Sequence, residues 1–144
     1  MTVASLNEVL VLAGDIKNAY LQAPSSEKNY IIRGPEFGQE NVGKKALITR
    51  ALYGGKAAGR DFRNHLRSCM EHLGYTSCLA DPDLWMRKAH RDKTGEAYWE
   101  YTLLYVDDAL CVSEHPEAQL EELSKYFLLK PGSIQDHKAD FMRI

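Results

Sequence analysis

The feature of this sequence that most constrains its fold is a pair of adjacent aspartates, Asp107 and Asp108, set between two apolar runs. The runs, residues 102–106 and 109–112, are rich in residues that favour β-strands. Because no residues remain between them for a crossover helix, they predict antiparallel strands joined by a very tight turn. Asp-Asp is a poor turn sequence compared with Asn-Gly or Asp-Gly, which indicates a role for the acids beyond turn geometry.

Hydrophobic periodicity and turn residues predict the other elements. In chain order these are a buried strand over 8–16, a short β-type run at 30–32, a loop over 34–43, an amphipathic helix at about 57–73, a strand at 84–86, a polar connection over 89–97, the two strands around the aspartate pair, a helix from Pro116 to the stop signal Pro131-Gly132, and a last strand near 141–144. The order resembles an α+β, ferredoxin-like β-α-β-β-α-β plan, with one antiparallel sheet and helices on one face.

A third carboxylate, Asp15, ends the first predicted strand. In a β-α-β-β plan this strand lies beside the hairpin that carries Asp107 and Asp108, so the three acids are expected to converge. Mg²⁺ prefers carboxylate oxygens as ligands and keeps coordination positions for water and phosphate. A pair of such ions catalyses nucleophilic displacement at phosphorus in many enzymes. Solvated aspartates at a surface turn are the other interpretation of the pair.

The size and composition fit one soluble domain: 144 residues, 44% hydrophobic and 26% charged. No apolar run is long enough for a membrane helix, so no membrane partner is expected. Three cysteines and five histidines show no zinc-ligand spacing, and the odd cysteine number favours a reducing compartment. Residues 44–93 hold eleven Lys or Arg against five Asp or Glu, which predicts either a solvated face or a phosphate-facing stripe.

Four sequence blocks resemble the palm region of copia-type retrotransposon reverse transcriptases. They are Asp-Ile-Lys-Asn-Ala-Tyr-Leu-Gln at 15–22, Ala-Leu-Tyr-Gly-Gly-Lys at 51–56, Leu-Ala-Asp-Pro-Asp-Leu-Trp at 79–85 and Leu-Tyr-Val-Asp-Asp at 104–108. The blocks occur in the family's order and together span roughly residues 5–130. The resemblance implies an RNA-directed DNA polymerase, in which a primer 3′-hydroxyl attacks a deoxynucleoside triphosphate.

The resemblance also implies a metal site. Asp15 and Asp107 would hold two Mg²⁺ ions, for which Mn²⁺ can substitute; Asp108 would assist, and the carbonyl of Ile16 would complete one coordination shell. The incoming nucleotide would lie against the backbone near Asn18 and Ala19.

Further roles follow from the same resemblance. Tyr20 would pack under the nucleotide sugar and select deoxynucleotides, although a purely structural role as a core aromatic is also open. Contacts with an RNA or DNA template and its primer would come from the basic helix, the turn before it and the hairpin: Gly54, Gly55, Lys56, Arg60, Arg63, Arg67 and Tyr105.

We expect residues 1–144 to form a single partial domain, without the N-terminal part of the fingers, the thumb or RNase H, and with a divergent tail over 132–144. Its other partners would be the remaining segments of a retrotransposon polyprotein, and its location intracellular, in a cytoplasmic virus-like particle or the nucleus. Such a segment is expected to be inactive alone. Two alternatives are a catalytically inactive remnant that binds nucleic acid weakly, and a phosphotransfer receiver, which would require a parallel sheet.

Overall fold

The computed structural model describes Ala4 and residues 7–136. Its elements in chain order are β1 (Leu10–Asp15), α1 (Ala19–Gln22), β2 (Tyr30–Ile32), two short 3₁₀ turns (Pro35–Phe37 and Gln39–Asn41), β3 (Lys45–Leu47), α2 (Ala58–His72), β4 (Thr76–Ser77), β5 (Leu84–His90), β6 (Ala97–Tyr105), β7 (Asp108–Ser113), α3 (Pro116–Ser124) and β8 (Gln135–Asp136). The chain divides into two compact units. The described parts of Met1–Asn18 and Arg67–Ile144 form the sheet unit, and Ala19–Leu66 form the hairpin unit.

The sheet unit is built on a six-stranded sheet in the order β4-β5-β6-β7-β1-β8, and each pairing is antiparallel. The chain is therefore α+β with an antiparallel sheet, as predicted. The receiver alternative required a parallel sheet and is inconsistent with this arrangement. Within the described residues, no helix combines the length and the apolar character needed to cross a bilayer.

Helix α3 packs on β1 and β7 and fixes the end of β1. Leu120 and Leu123 of this helix are almost completely buried. The packing is close at Gly14 of β1, where a Cβ would lie 3.0 Å from Leu120 Cδ2 and the leucine side chain would have to shift. Along β7, buried Ala109, Cys111 and Ser113 alternate with more exposed residues, which is the pattern of a strand with one packed face. The packing of α3 therefore fixes the position of Asp15, which follows Gly14 at the end of β1.

The prediction that the last helix continues to Pro131 is wrong. Helix α3 ends at Ser124, and Phe127, which was expected to lie in the helix, is buried in the turn that follows. The backbone leaves the helix to pair with the end of β1: Leu128 accepts a hydrogen bond from Lys17, and Lys130 donates one to the Asp15 carbonyl. Pairing with a distant strand here prevails over helical periodicity.

Other elements also differ from the sequence-based prediction. Strand β5 runs to His90 rather than Met86, because its ladder with β6 continues to the pair His90 and Ala97. Strand β3 was not predicted; in the hairpin unit it pairs antiparallel with β2. Strand β8 pairs with Leu12 and Ala13 of β1, whereas the strand predicted near 141–144 and most of the predicted divergent tail lie outside the described residues.

The three cysteines are free thiols: Cys69 and Cys111 are buried and Cys78 is half-buried. Burial raises the pKa of Cys111 to about 12, so this thiol stays protonated near neutral pH. Cys111 therefore behaves as a small apolar core residue.

Candidate active site

The predicted carboxylates meet at one end of the sheet unit. Asp15 is the last residue of β1 and Asp108 the first of β7, and the two stand directly opposite each other in the strand register. Asp107 lies in the two-residue turn between β6 and β7, and its carbonyl accepts a hydrogen bond of 2.6 Å from the Ile16 N–H. The predicted neighbourhood of β1 and the hairpin is thus confirmed, and acids far apart in sequence come together.

This arrangement is electrostatically unfavourable without a cation. Like charges directly opposite each other on a sheet destabilise it. In addition, Asp15 Oδ1 is buried and has no hydrogen-bond partner among the described residues. A buried acceptor without a partner costs about 1–3 kcal/mol, and more when it is charged. Hard oxygen donors with unmet bonding capacity suit Mg²⁺ or Mn²⁺, so these residues fit a divalent ion.

The second oxygen of Asp15 already has a cationic partner. Lys130 Nζ lies 2.8 Å from Asp15 Oδ2. The hydrogen bond to Asp15 raises the pKa of the Lys130 ammonium, and the negative charges of Asp15, Asp107 and Asp108 raise it further. Lys130 was interpreted from the sequence as a positive charge in the last turn of a helix; the structure places it instead beside the acidic cluster.

The turn that carries Asp107 has an unusual backbone. Val106 has φ 54°, the left-handed region, which a β-branched residue rarely adopts. In a two-residue hairpin loop this first position is normally taken by glycine or asparagine. The turn holds Tyr105 and Asp108 as a cross-strand pair, with 70% of Tyr105 exposed. Backbone strain therefore coincides with the aspartate pair, as is common at functional sites.

A cleft of about 360 Å³ opens beside the carboxylates. Asp15, Tyr105, Asp108 and Ser133 provide its polar lining, and Leu103 and Leu110 are among its apolar residues. Ser133 also contacts β1, because its Oγ accepts a hydrogen bond of 3.1 Å from the Asp15 N–H. The cleft is thus open to a ligand that combines charged and apolar parts.

The remaining predicted nucleotide contacts lie around α1. Asn18 has φ 50°, a conformation that asparagine tolerates better than most residues, and is exposed. Ala19, the first residue of the hairpin unit, is fully buried. In that unit the half-buried Tyr20 ring packs against Tyr53, with ring centroids 4.6 Å apart and the planes tilted by 31°, and against Phe62 at 5.9 Å. Tyr20 is thus part of an aromatic cluster, which is compatible with both roles considered for it.

The glycine turn and the basic residues divide between the two units. Gly54 has φ 87°, which favours glycine, and a Cβ on Gly55 would lie 3.1 Å from the Leu52 carbonyl. Lys56 and Arg63 in the hairpin unit and Arg67 in the sheet unit are exposed. Arg60 is also exposed, but it donates a hydrogen bond to Ser26 Oγ and lies 3.9 Å from the Asp61 carboxylate.

The structure therefore brings five predicted residues together in the sheet unit: Asp15, Ile16, Tyr105, Asp107 and Asp108. Sequence reasoning missed Lys130 and Ser133 as neighbours of Asp15. Neither lies in a recognisable motif, and only their pairing with the end of β1 reveals them. The strand register is therefore needed to complete the description of the site.

Comparisons with known proteins point to transposons. No protein-family model matches the chain, and no solved structure matches it. The chain is 27% identical over 128 residues to the retrovirus-related Pol polyprotein from transposon RE1 of Arabidopsis thaliana, which covers 86% of the chain and 8% of that relative. It is 33% identical over 122 residues to the corresponding polyprotein from transposon TNT 1-94 of Nicotiana tabacum, covering 81% of the chain and 9% of the relative.

A second Arabidopsis thaliana protein, from transposon RE2, is 27% identical over 120 residues, covering 81% of the chain and 8% of the relative. The chain thus spans less than a tenth of the length of these curated relatives. These similarities support its interpretation as a segment of a retrotransposon Pol polyprotein.

Proposed function

We propose that this chain is the palm segment of a copia-type retrotransposon reverse transcriptase, the part of an RNA-directed DNA polymerase that carries the catalytic carboxylates. The reaction would join a deoxynucleoside triphosphate to a primer 3′-hydroxyl on an RNA or DNA template. The four ordered sequence blocks and the similarity to Pol polyproteins support this proposal.

The strand order adds independent support. Four neighbouring strands, β6-β7-β1-β8, have the order expected of a ferredoxin-like sheet. Along the chain α2 lies between β1 and β6, and α3 lies between β7 and β8, as that plan requires. Strands β4 and β5 would then be additions at the edge beyond β6. A palm with its helices on one face is consistent with this order.

The observation that carries the proposal is the carboxylate cluster. Asp15 and Asp108 face each other across two paired strands, Asp107 occupies the adjoining turn, and one Asp15 oxygen is buried without a described partner. Asp15 and Asp107 would hold two Mg²⁺ or Mn²⁺ ions, with Asp108 and the Ile16 carbonyl assisting. When bound, the ions would supply charge neutralisation for the phosphates and lower the pKa of the attacking hydroxyl.

The protein's own contribution is to fix the geometry of these ligands. The Asp15 backbone is held on both sides, since its N–H donates to Ser133 Oγ and its carbonyl accepts from the Lys130 N–H. The Asp107 carbonyl is held by the Ile16 N–H at 2.6 Å. Such preorganisation reduces the reorganisation needed when a charged substrate arrives.

Substrate recognition would use the other predicted residues. Asn18 and Ala19 would contact the triphosphate through the backbone, and Tyr20 would exclude a ribose 2′-hydroxyl. Tyr105 would touch the primer near its growing end. The template would be held by the glycine turn and the helix that follows: Gly54, Gly55, Lys56, Arg60, Arg63 and Arg67.

The test is primer extension in a completed polymerase. Residues 7–136 would replace the matching segment of one of the related Pol polyproteins, and extension of a DNA primer on an RNA template would be measured. We expect Asp107→Asn to lower the rate of extension by at least about 100-fold, because it removes a carboxylate charge that would hold the metal ions next to the charged transition state. Asp92→Asn, outside the cluster, is the matched control.

If Asp107→Asn left extension unchanged, the proposed function would be wrong. The alternative of an inactive remnant would then predict only weak, sequence-independent nucleic-acid binding that declines steeply with salt. Measuring binding at two salt concentrations separates that alternative from a specific complex.

A further inference from the structure

Lys130 reaches the acidic cluster on a segment that crosses the end of β1, residues 128–133, here called the crossing segment. Three hydrogen bonds attach it to that strand end: Lys17 N–H to the Leu128 carbonyl at 2.8 Å, Lys130 N–H to the Asp15 carbonyl at 2.8 Å, and Asp15 N–H to Ser133 Oγ at 3.1 Å. The backbone of Lys130 is therefore fixed next to Asp15, whatever its side chain does.

The Lys130 side chain places a positive charge beside the carboxylates of Asp15, Asp107 and Asp108. Lys130 Nζ lies 2.8 Å from Asp15 Oδ2, and Asp15 is paired across the sheet with Asp108. The Lys130 side chain is 56% exposed, whereas the Asp15 side chain is 24% exposed. The ammonium is thus held by one carboxylate at the edge of the cluster, on a flexible stem that can leave without disturbing the crossing segment.

We propose that Lys130 is a built-in counterion of this cluster and competes with a divalent cation for Asp15. The inference rests on the proposed function, since it assumes that Asp15 is a metal ligand, and it assigns a regulatory role to a residue outside the four sequence blocks. An ammonium hydrogen-bonded to Asp15 Oδ2 and a metal ion coordinated by that oxygen repel each other. A metal ion on Oδ1, the oxygen without a described partner, is repelled by the same ammonium across one carboxylate. Metal binding at Asp15 therefore favours a Lys130 side chain that has moved away.

This competition has a defined consequence for metal affinity. Lys130 stabilises the cluster in the absence of a divalent ion by neutralising part of its charge, and it weakens metal binding by the free energy of the contact that must be broken. The contact is accessible to water, so its effect on affinity is expected to be modest, about fivefold. Replacing Lys130 by an uncharged residue of similar length is expected to tighten binding by that factor.

The test is titration of the full 144-residue chain with Mn²⁺, with free Mn²⁺ followed by electron paramagnetic resonance. The variants are Lys130→Met, Lys130→Gln and Lys130→Arg, with Lys125→Met as the control for an equal change in net charge. Lys125 is exposed just after α3. We expect about fivefold tighter binding in the Met and Gln variants and an unchanged Kd in the Arg and Lys125 variants. Circular dichroism checks that each variant is folded.

Asp15→Asn separates this inference from the proposed function. If Asp15→Asn weakens Mn²⁺ binding while Lys130→Met and Lys130→Gln bind like the wild type, competition by Lys130 is refuted and the metal site stands. Equal tightening by Lys125→Met also refutes it, because net charge alone would then explain the effect. If neither the wild type nor any Lys130 variant binds Mn²⁺, competition by Lys130 is refuted, and the proposed function is decided by the primer-extension test alone.

Discussion

At the scale of single residues, the site combines motif residues with neighbours that have no motif. Asp107 and Asp108 could be singled out from the sequence because adjacent acids between apolar runs are unusual, and Asp15 because it ends a buried run. Lys130 could not, because its relation to Asp15 depends on how the crossing segment pairs with β1. Backbone strain at Val106 was equally inaccessible, since no propensity predicts a positive φ for valine.

Replacing Val106 by glycine should stabilise the protein. Glycine adopts φ 54° without the steric cost of a Cβ, which is about 1–2 kcal/mol for other residues, and part of that gain is lost to the greater freedom of glycine in the unfolded chain. We expect Val106→Gly to raise the free energy of unfolding by about 1 kcal/mol, measured by urea denaturation. Val106→Ala, which keeps the Cβ, serves as the control and should show no such gain.

Asp61 should make stability depend on pH in the acid range. The Ser26 N–H donates a 2.8 Å hydrogen bond to Asp61 Oδ2 and lowers the pKa of this buried carboxyl; the nearby Arg60 contributes less. Because the folded pKa lies below the unfolded one, the stabilisation is present above about pH 4 and is lost as pH falls through the lowered folded pKa.

We therefore expect acidification from pH 5 to pH 2 to destabilise the wild type more than Asp61→Asn, as measured by thermal unfolding across that range. Glu71→Gln, at an exposed position, is the control and should lose stability in parallel with the wild type. Parallel loss in Asp61→Asn as well would show that the Ser26 hydrogen bond contributes nothing to the acid dependence.

At the scale of elements, strand pairing was predicted better than helix length. The central strands could be located because apolar β-formers alternate or cluster there, whereas α3 ends early since its continuation pairs with β1. Strand β3 escaped prediction because it has only three residues, two of them exposed, and so gives no clear period. Hydrophobic periodicity thus identifies elements with a clear buried face. It fails where pairing with a residue far away in the sequence determines the path of the backbone.

Arg87 joins several elements of the sheet unit through one side chain. It donates to Glu100 Oε2 on β6 at 2.8 Å, lies 3.0 Å from Glu122 Oε2 on α3, and donates to the carbonyl of Leu73 after α2 at 2.9 Å. Its guanidinium also stands 4.4 Å from the centre of the Tyr75 ring. These contacts connect β5 and β6 to the C-terminal end of α2 and to α3.

Removing this arginine should be costly, because it would leave Glu100 mostly buried without its cationic partner. We expect Arg87→Met to lower the free energy of unfolding by about 3 kcal/mol in urea titrations. The double variant Arg87→Met/Glu100→Gln should recover part of that loss, since the uncompensated charge is then gone. If the loss of unfolding free energy in the double variant equalled the sum of the losses in Arg87→Met and Glu100→Gln, the two side chains would not interact.

At the scale of the whole molecule, the α+β class and the antiparallel sheet were predictable from element order, because a two-residue connection permits only antiparallel strands. The division into a sheet unit and a hairpin unit was not, since it depends on contacts between segments that are far apart in the sequence. The register that sets Asp15 opposite Asp108 also needed the structure, because a slip of one residue would turn either carboxylate to the other face.

Metal binding should stabilise the sheet unit as a whole. A ligand that binds only the folded state raises the free energy of unfolding by about 2.7 kcal/mol at one hundred times its Kd. We expect Mn²⁺ to raise the unfolding temperature of the wild type by several degrees and that of Asp15→Asn far less, as measured by calorimetry. NaCl at equal ionic strength controls for screening of the repulsion among Asp15, Asp107 and Asp108. An equal shift with Asp15→Asn would contradict a site at this residue.

Strand β1 lies between β7 and β8, two strands that follow it late in the chain. During synthesis at about 5 to 20 residues per second, β1 leaves the ribosome several seconds before either neighbour exists. During that interval the apolar residues 10–13 have no neighbouring strand to pair with their backbone N–H and C=O groups. Unpaired apolar strands of this kind promote association between nascent chains. The yield of folded protein therefore depends on how quickly β7 reaches β1, and not only on the stability of the finished sheet.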